Sequence, residues 1–84
     1  MNFSGKTALV TGAATGLGYA VAVYFADLGA DLILLDMNEE GLKTVKTDCE
    51  AKGVKVLTYL CDISKEQEVY TTVEAAEKEF GKIN

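Results

Sequence analysis

One stretch of this chain has the residue types and spacing to hold phosphate: Thr11-Gly12-Ala13-Ala14-Thr15-Gly16-Leu17-Gly18. It lies where a strand pattern gives way to a helical one. A helix N-terminus there offers unpaired N–H groups and partial positive charge, which suits the pyrophosphate of a dinucleotide. In that reading Gly12 permits the tight turn, and Gly16 lets the backbone approach the phosphates with no Cβ in the way. Gly18 lets the helix pack close to the sheet. The hydroxyls of Thr11 and Thr15 are suited to holding the loop. A glycine-rich turn without a ligand uses the same residues; the strand–turn–helix context is what favours the ligand.

Two acids extend the pattern. Asp36 ends the second strand pattern, roughly 20 residues beyond the turn, a spacing at which an acid accepts hydrogen bonds from an adenosine ribose. Its charge also disfavours a 2′-phosphate. Two unit charges about 4 Å apart repel by roughly 4 kcal/mol at an effective dielectric near 20. No Lys or Arg adjoins Asp36 and Thr15 is not basic, so NAD is expected over NADP. The competing role for Asp36 is to cap the next helix. Asp62 and Ile63 follow the third strand pattern. Asp62 suits the adenine amino group and Ile63 the ring face, although spacing alone favours a helix-entry turn that Asp62 shares with Ser64.

The elements that must position these residues alternate. Thr7-Ala8-Leu9-Val10-Thr11, the run Leu32-Ile33-Leu34-Leu35 within 30–36, and 54–61 read as strands. Continuous apolar strands suit a parallel sheet covered on both faces. Between them, 17–28 predicts a helix with a stripe of Leu17, Val21, Tyr24 and Leu28, closed by Gly29. A second helix over 39–52 puts Leu42, Val45 and Cys49 on one face, with Asn38 as cap and Gly53 as stop. Gly41 predicts a loose first turn there. A third helix over 65–80 carries Val69, Val73, Ala76 and Phe80, opened by the capping box Ser64-Lys65-Glu66-Gln67 and stopped by Gly81. The order β-α-β-α-β-α implies an α/β fold with a parallel, doubly wound sheet. Right-handed crossovers put the first two helices on one face.

Composition removes other classes. The 84 residues carry a net charge of −5, with 49% hydrophobic and 25% charged residues. That is ordinary for a globular domain and argues against a general nucleic-acid binder. No apolar run approaches the ~20 residues of a membrane span, and Met-Asn-Phe-Ser-Gly-Lys-Thr lacks the basic flank and apolar core of a signal peptide. There is no His, which removes imidazole catalysis and His metal sites; no metal site is expected. Cys49 and Cys61 are too far apart for a CxxC motif and read as free thiols in a reducing compartment. A cytoplasmic location is expected.

Ser4-Gly5-Lys6-Thr7 imitates the tail of a P-loop, but the strand follows it instead of preceding it. A methyltransferase-like sheet also has a glycine-rich turn and an acid after its second strand, with glycines that usually alternate.

Taken together, the chain resembles the N-terminal part of the short-chain dehydrogenase/reductase family. The resemblance runs from Phe3-Ser4-Gly5-Lys6-Thr7-Ala8-Leu9-Val10-Thr11-Gly12, through the glycine spacing, Asp36 and Cys61-Asp62-Ile63, to Phe80-Gly81-Lys82-Ile83-Asn84. It implies a Rossmann-type parallel sheet. It also implies cofactor binding at Gly12, Thr15, Gly16, Leu17, Gly18, Asp36, Met37, Asp62 and Ile63. The family's Asn-Asn-Ala-Gly motif would begin just past Asn84. The resemblance therefore implies that 1–84 is the N-terminal part of a single dinucleotide-binding domain, cut before its fourth strand. No catalytic residue of the family can be placed here. Its Tyr-x-x-x-Lys pair is absent, because Tyr19, Tyr24, Tyr59 and Tyr70 are followed at that spacing by Val23, Leu28, Ile63 and Glu74.

Two functions of different class follow. In the first, the chain is the NAD(H)-binding portion of an oxidoreductase that interconverts a carbonyl and a secondary alcohol by hydride transfer. Its intact parent would be a homo-oligomer acting on a small molecule. In the second, it is a non-catalytic half-module that binds nucleotide weakly or not at all.

Overall fold

The apolar run Leu32-Ile33-Leu34-Leu35 decides the architecture, because it has to be covered on both faces. The computed structural model describes residues 2–80. In it, β1 (Thr7–Thr11), α1 (Gly16–Asp27), β2 (Asp31–Asp36), α2 (Glu39–Glu50), β3 (Val56–Leu60) and α3 (Glu66–Phe80) follow in order. The strands form one three-stranded sheet in the order β1-β2-β3, with both pairings parallel. Leu32, Ile33, Leu34 and Leu35 of the central strand are fully buried.

Strand side chains alternate between faces, and the in-register pairing keeps like with like. Ala8, Leu32 and Val56 are neighbours across the sheet, as are Leu9, Ile33 and Leu57. One face gathers Val10, Leu32, Leu34 and Val56 under Ala22 and Ala26 of α1 and Leu42, Val45 and Cys49 of α2. The other gathers Ile33, Leu35 and Cys61 under Ala76 of α3, with Leu9, Tyr59, Val69 and Phe80 at its margin. The first two helices share a face, as the right-handed crossover rule requires. The two thiols lie on opposite faces, both buried and free.

The buried face of α1 differs from expectation. Leu17 is 82% exposed and Tyr24 is 55% exposed, while Ala22 and Ala26 are the buried positions. Almost every side of α1 is apolar, so large residues do not mark the seated side. The side that seats is the row Gly18, Ala22 and Ala26, four residues apart, because small side chains allow the closest approach to the sheet. Phe25 packs at the margin and stacks on Phe3, with ring centroids 5.4 Å apart.

The α2 face is as expected, with Leu42, Val45 and Cys49 buried. Asn38 caps the helix, its side-chain Oδ1 accepting from the Gly41 N–H at 3.0 Å. The helix ends at Glu50, short of Lys52, and Lys52 reaches Asp27 Oδ1 at 2.6 Å, joining the ends of α1 and α2. That carboxylate pushes the Lys52 ammonium above its ordinary range. The Tyr19 hydroxyl donates to Asp48 Oδ2 between the same two helices. Burial pushes the Cys49 thiol up.

The β3 strand is shorter at both ends than the predicted 54–61. The capping box before α3 does not form: the helix begins at Glu66, which leaves Ser64 one residue too early to cap it, and the Ser64 hydroxyl donates to Asp62. The predicted stop at Gly81 lies outside the described residues. Among the described residues no helix is long and apolar enough to cross a membrane.

Candidate functional site

The glycine-rich turn is held from inside and from the sheet. Gly12 has φ +65°, a left-handed conformation that L side chains rarely adopt. Its carbonyl accepts from the Thr15 hydroxyl at 2.9 Å and from the Thr15 N–H at 3.2 Å. Two bonds join the turn to β2: Ala13 N–H to the Leu35 carbonyl at 3.3 Å, and Ala14 N–H to Asp36 Oδ2 at 3.0 Å.

The three glycines have separable roles. A Cβ on Gly18 would overlap the Gly12 carbonyl oxygen and lie 2.6 Å from Gly12 C and 3.0 Å from Ala13 Cα. Gly18 therefore seats α1 on the turn itself, a closer partner than the sheet. A Cβ on Gly16 would meet nothing within 4 Å, so the fold leaves open space where a ligand would approach the backbone.

Thr15 is the N-cap of α1, yet its side chain makes no capping bond, since its hydroxyl is committed to Gly12. The N–H groups of Gly16, Leu17 and Gly18 belong to the first turn, where a helix has no internal partners for its donors. The first turn of α1 carries no acid, whereas α2 begins with Glu39 and Glu40 and α3 with Glu66 and Glu68. The first turn of α1 thus carries neither a side-chain cap nor an acid of its own, which suits an anion.

Asp36 lies beside this turn, half-buried at the end of β2. Oδ2 takes the Ala14 N–H, and Oδ1 takes the Asn38 N–H at 2.9 Å. Its main-chain carbonyl accepts from the Cys61 N–H at 3.0 Å, tying the end of β3 to the end of β2. The ends of all three strands are therefore linked along one edge, where ligands bind in doubly wound folds. Met37 and Ile63 stand on that edge, 68% and 51% exposed.

Asp62 adopts the turn role that spacing favoured. Its Oδ1 accepts from the Ser64 hydroxyl at 2.6 Å and the Ser64 N–H at 3.0 Å. These bonds hold the Asp62 carboxyl below its ordinary value of 3.8. Its own N–H donates to Glu68 Oε1 at 2.8 Å.

Two residues of this edge escape sequence reasoning. Glu68 fixes the turn before α3. Gly41 is a requirement of packing and leaves no slack: a Cβ there would lie 2.5 Å from Ala14 Cβ and 3.0 Å from Asn38 Nδ2. The available signal was a glycine inside a capped first turn, where helix propensity opposes it. An open apolar hollow lined by Phe3, Lys6, Ala8, Leu9 and Phe25 lies toward the other end of β1 and includes none of the expected site residues.

Comparison with known proteins agrees with this fold. Residues 6–84 match the sequence model of a family described as short chain dehydrogenase. Short-chain dehydrogenase/reductase family 16C member 6 of Bos taurus is 44% identical over 81 residues, which is 95% of this chain and 26% of that protein. The crystal structure of NAD+-bound xylitol dehydrogenase superposes with a TM-score of 0.95 at 40% identity, covering 100% of this chain and 32% of that one. A metagenomic short-chain oxidoreductase in complex with NADP superposes with a TM-score of 0.90 at 29% identity, covering 98% and 37%. The chain thus spans about a quarter to a third of the length of these proteins.

Proposed function

The chain belongs to the short-chain dehydrogenase family, and from that premise we propose that it binds the adenosine half of a nicotinamide dinucleotide for an oxidoreductase. The reaction is interconversion of a carbonyl and a secondary alcohol. The observation that carries this reading is the uncapped, acid-free N-terminus of α1 beside a strand-ending acid. The N–H groups of Gly16, Leu17 and Gly18 take the pyrophosphate, with Gly12, Thr15 and the bare Gly16 shaping the approach. Asp36 takes the adenosine ribose. Met37 and Ile63 supply apolar contacts to adenine, and Asp62 accepts from its amino group.

Bound nicotinamide carries the hydride, and the protein supplies placement and electrostatics. These 84 residues contribute the placement. The family's Ser and its Tyr-x-x-x-Lys pair have no counterpart among them, so the catalytic groups and the substrate pocket belong to other segments of the parent. In this proposal 1–84 is the first part of one dinucleotide-binding domain, preceding its fourth strand. A small-molecule substrate, a homo-oligomeric parent and a cytoplasmic location belong to the same proposal.

NAD is preferred over NADP. Similar structures hold either cofactor, so the preference rests on Asp36, whose charge opposes a 2′-phosphate. Its neighbours Met37 and Asn38 offer no compensating cation. Titrating wild type and Asp36→Ala with NAD(H) and NADP(H) tests this. Hydrogen bonds to a charged group are each worth roughly 1.5–3 kcal/mol, so NAD affinity should fall about tenfold or more while discrimination against NADP relaxes. Unchanged selectivity would remove the ribose role, and a wild type that binds neither cofactor would leave the non-catalytic module.

A further inference from the structure

Resting on that proposed site, we propose that Asp36 is also a positioning residue for the phosphate-binding turn. It holds Ala14 through Oδ2 whether or not a ribose is present. It therefore contributes to binding of the pyrophosphate as well as of the adenosine.

The attachments of the turn carry the inference. The bonds from Thr15 to the Gly12 carbonyl are internal to the turn and do not join it to anything. Its ties to β2 are the long Ala13–Leu35 bond of 3.3 Å and the Ala14–Asp36 bond of 3.0 Å. The second is charge-assisted and so the stronger of the two. Ala14 is also backed by the first turn of α2, where Gly41 leaves room for its Cβ and nothing more. That first turn is itself set by Asp36, since Oδ1 holds the Asn38 N–H and the Asn38 side chain caps Gly41. One carboxylate thus holds both walls around Ala14.

A carboxylate offers about four acceptor positions. Two N–H groups use one on each oxygen, and those remaining suit the ribose hydroxyls, so both roles are compatible at once. A side-chain amide is different. Asn at this position has one acceptor oxygen, and its NH2 group would confront the second N–H. Asn retains the means to pair with hydroxyls but cannot satisfy both Ala14 and Asn38.

The test compares wild type, Asp36→Ala and Asp36→Asn at the protein's full natural length, in two measurements. The first is amide hydrogen exchange without ligand. Exchange at Ala14 should accelerate about tenfold in Asp36→Ala, while Leu34 in the core stays within about twofold. Equal exchange at Ala14 in wild type and variant overturns the proposal, and so does a wild-type Ala14 amide exchanging as fast as unstructured chain.

The second measurement titrates a dinucleotide whose adenosine lacks both ribose hydroxyls. If Asp36 acts only through those hydroxyls, wild type and Asp36→Ala bind this analogue equally, and the proposal fails. If Asp36 braces the turn, the variant binds it about tenfold more weakly at matched melting temperature. Where Asp36→Ala does not fold, Asp36→Asn carries both comparisons, with faster exchange at Ala14 or Asn38 as the expected result. A wild type that binds no dinucleotide sinks the proposed function and leaves the exchange measurement to decide the bracing.

Discussion

Gly16 and Gly18 are two residues apart in one motif, and the structure separates their roles by sign. At Gly18 an added Cβ would lie 2.6 Å from Gly12 C, and both that atom and Ala13 Cα are backbone. No rotamer change relieves the overlap. Reaching ordinary contact at 3.4 Å requires α1 and the turn to separate by more than about 0.8 Å, since the Gly12 carbonyl oxygen lies nearer still than Gly12 C. Overpacking of this kind costs about 3 kcal/mol at the upper end of its usual range, offset by about 1 kcal/mol of helix propensity from Gly to Ala. The net loss of about 2 kcal/mol lowers the melting temperature of a unit this size by roughly 10 °C.

At Gly16 the same substitution meets nothing and retains the propensity gain of up to about 1 kcal/mol. Gly16→Ala should therefore melt at or slightly above wild type. Its Cβ would enter the space assigned to phosphate, so NAD affinity should fall by about tenfold, or about 1.4 kcal/mol. Thermal unfolding followed by calorimetry, with isothermal titration of NAD, reads both quantities on each variant. A Gly18→Ala variant as stable as wild type refutes the packing argument. A Gly16→Ala variant that loses stability, or keeps full affinity, refutes the phosphate argument.

Other outcomes follow from the contacts. Gly41→Val should destabilise by about 1–3 kcal/mol, and Ala14→Gly in the same chain should recover part of that; additive effects in a denaturant double-mutant cycle would count against contact between the two positions. Asn38→Ala removes the α2 cap and should cost about 1 kcal/mol by the same measurement. The hydrogen bond to Asp48, then burial, raise the Tyr19 hydroxyl above its ordinary 10.0. A raised acid contributes stability that is complete below its unfolded pKa and lost as pH rises through its folded one. Tyr19→Phe should therefore flatten the alkaline limb of the stability profile, read by denaturant unfolding across the alkaline range. Cys49 and Cys61 are buried and should react with a thiol reagent only under denaturing conditions.

Much of this molecule is legible in local patterns. Leu32 to Leu35 announce a strand covered on both faces, because four consecutive apolar residues leave no solvent side. The periodicity of Leu42, Val45 and Cys49 locates the buried side of α2 because charged residues, threonines and one glycine fill the rest of that helix. Glycines at a strand–helix junction followed by a strand-ending acid indicate where the site lies. Distance along the chain hides the rest. α1 is apolar on nearly every side, so its orientation is decided by which row fits against the Gly12 carbonyl, and that is the small row through Gly18. Gly41 looks like a weakness in a helix until Ala14 is brought against it. Asp36 reads as a ligand residue, and only tertiary structure brings the Ala14 N–H to its carboxylate across the intervening helix and strand. Sequence by itself determined the order of the elements and the edge on which they converge, since both follow from short-range periodicity. Tertiary structure decided which atoms hold which, because hydrogen bonds and steric limits between residues remote in the chain exist only once the sheet has brought the three strand ends together.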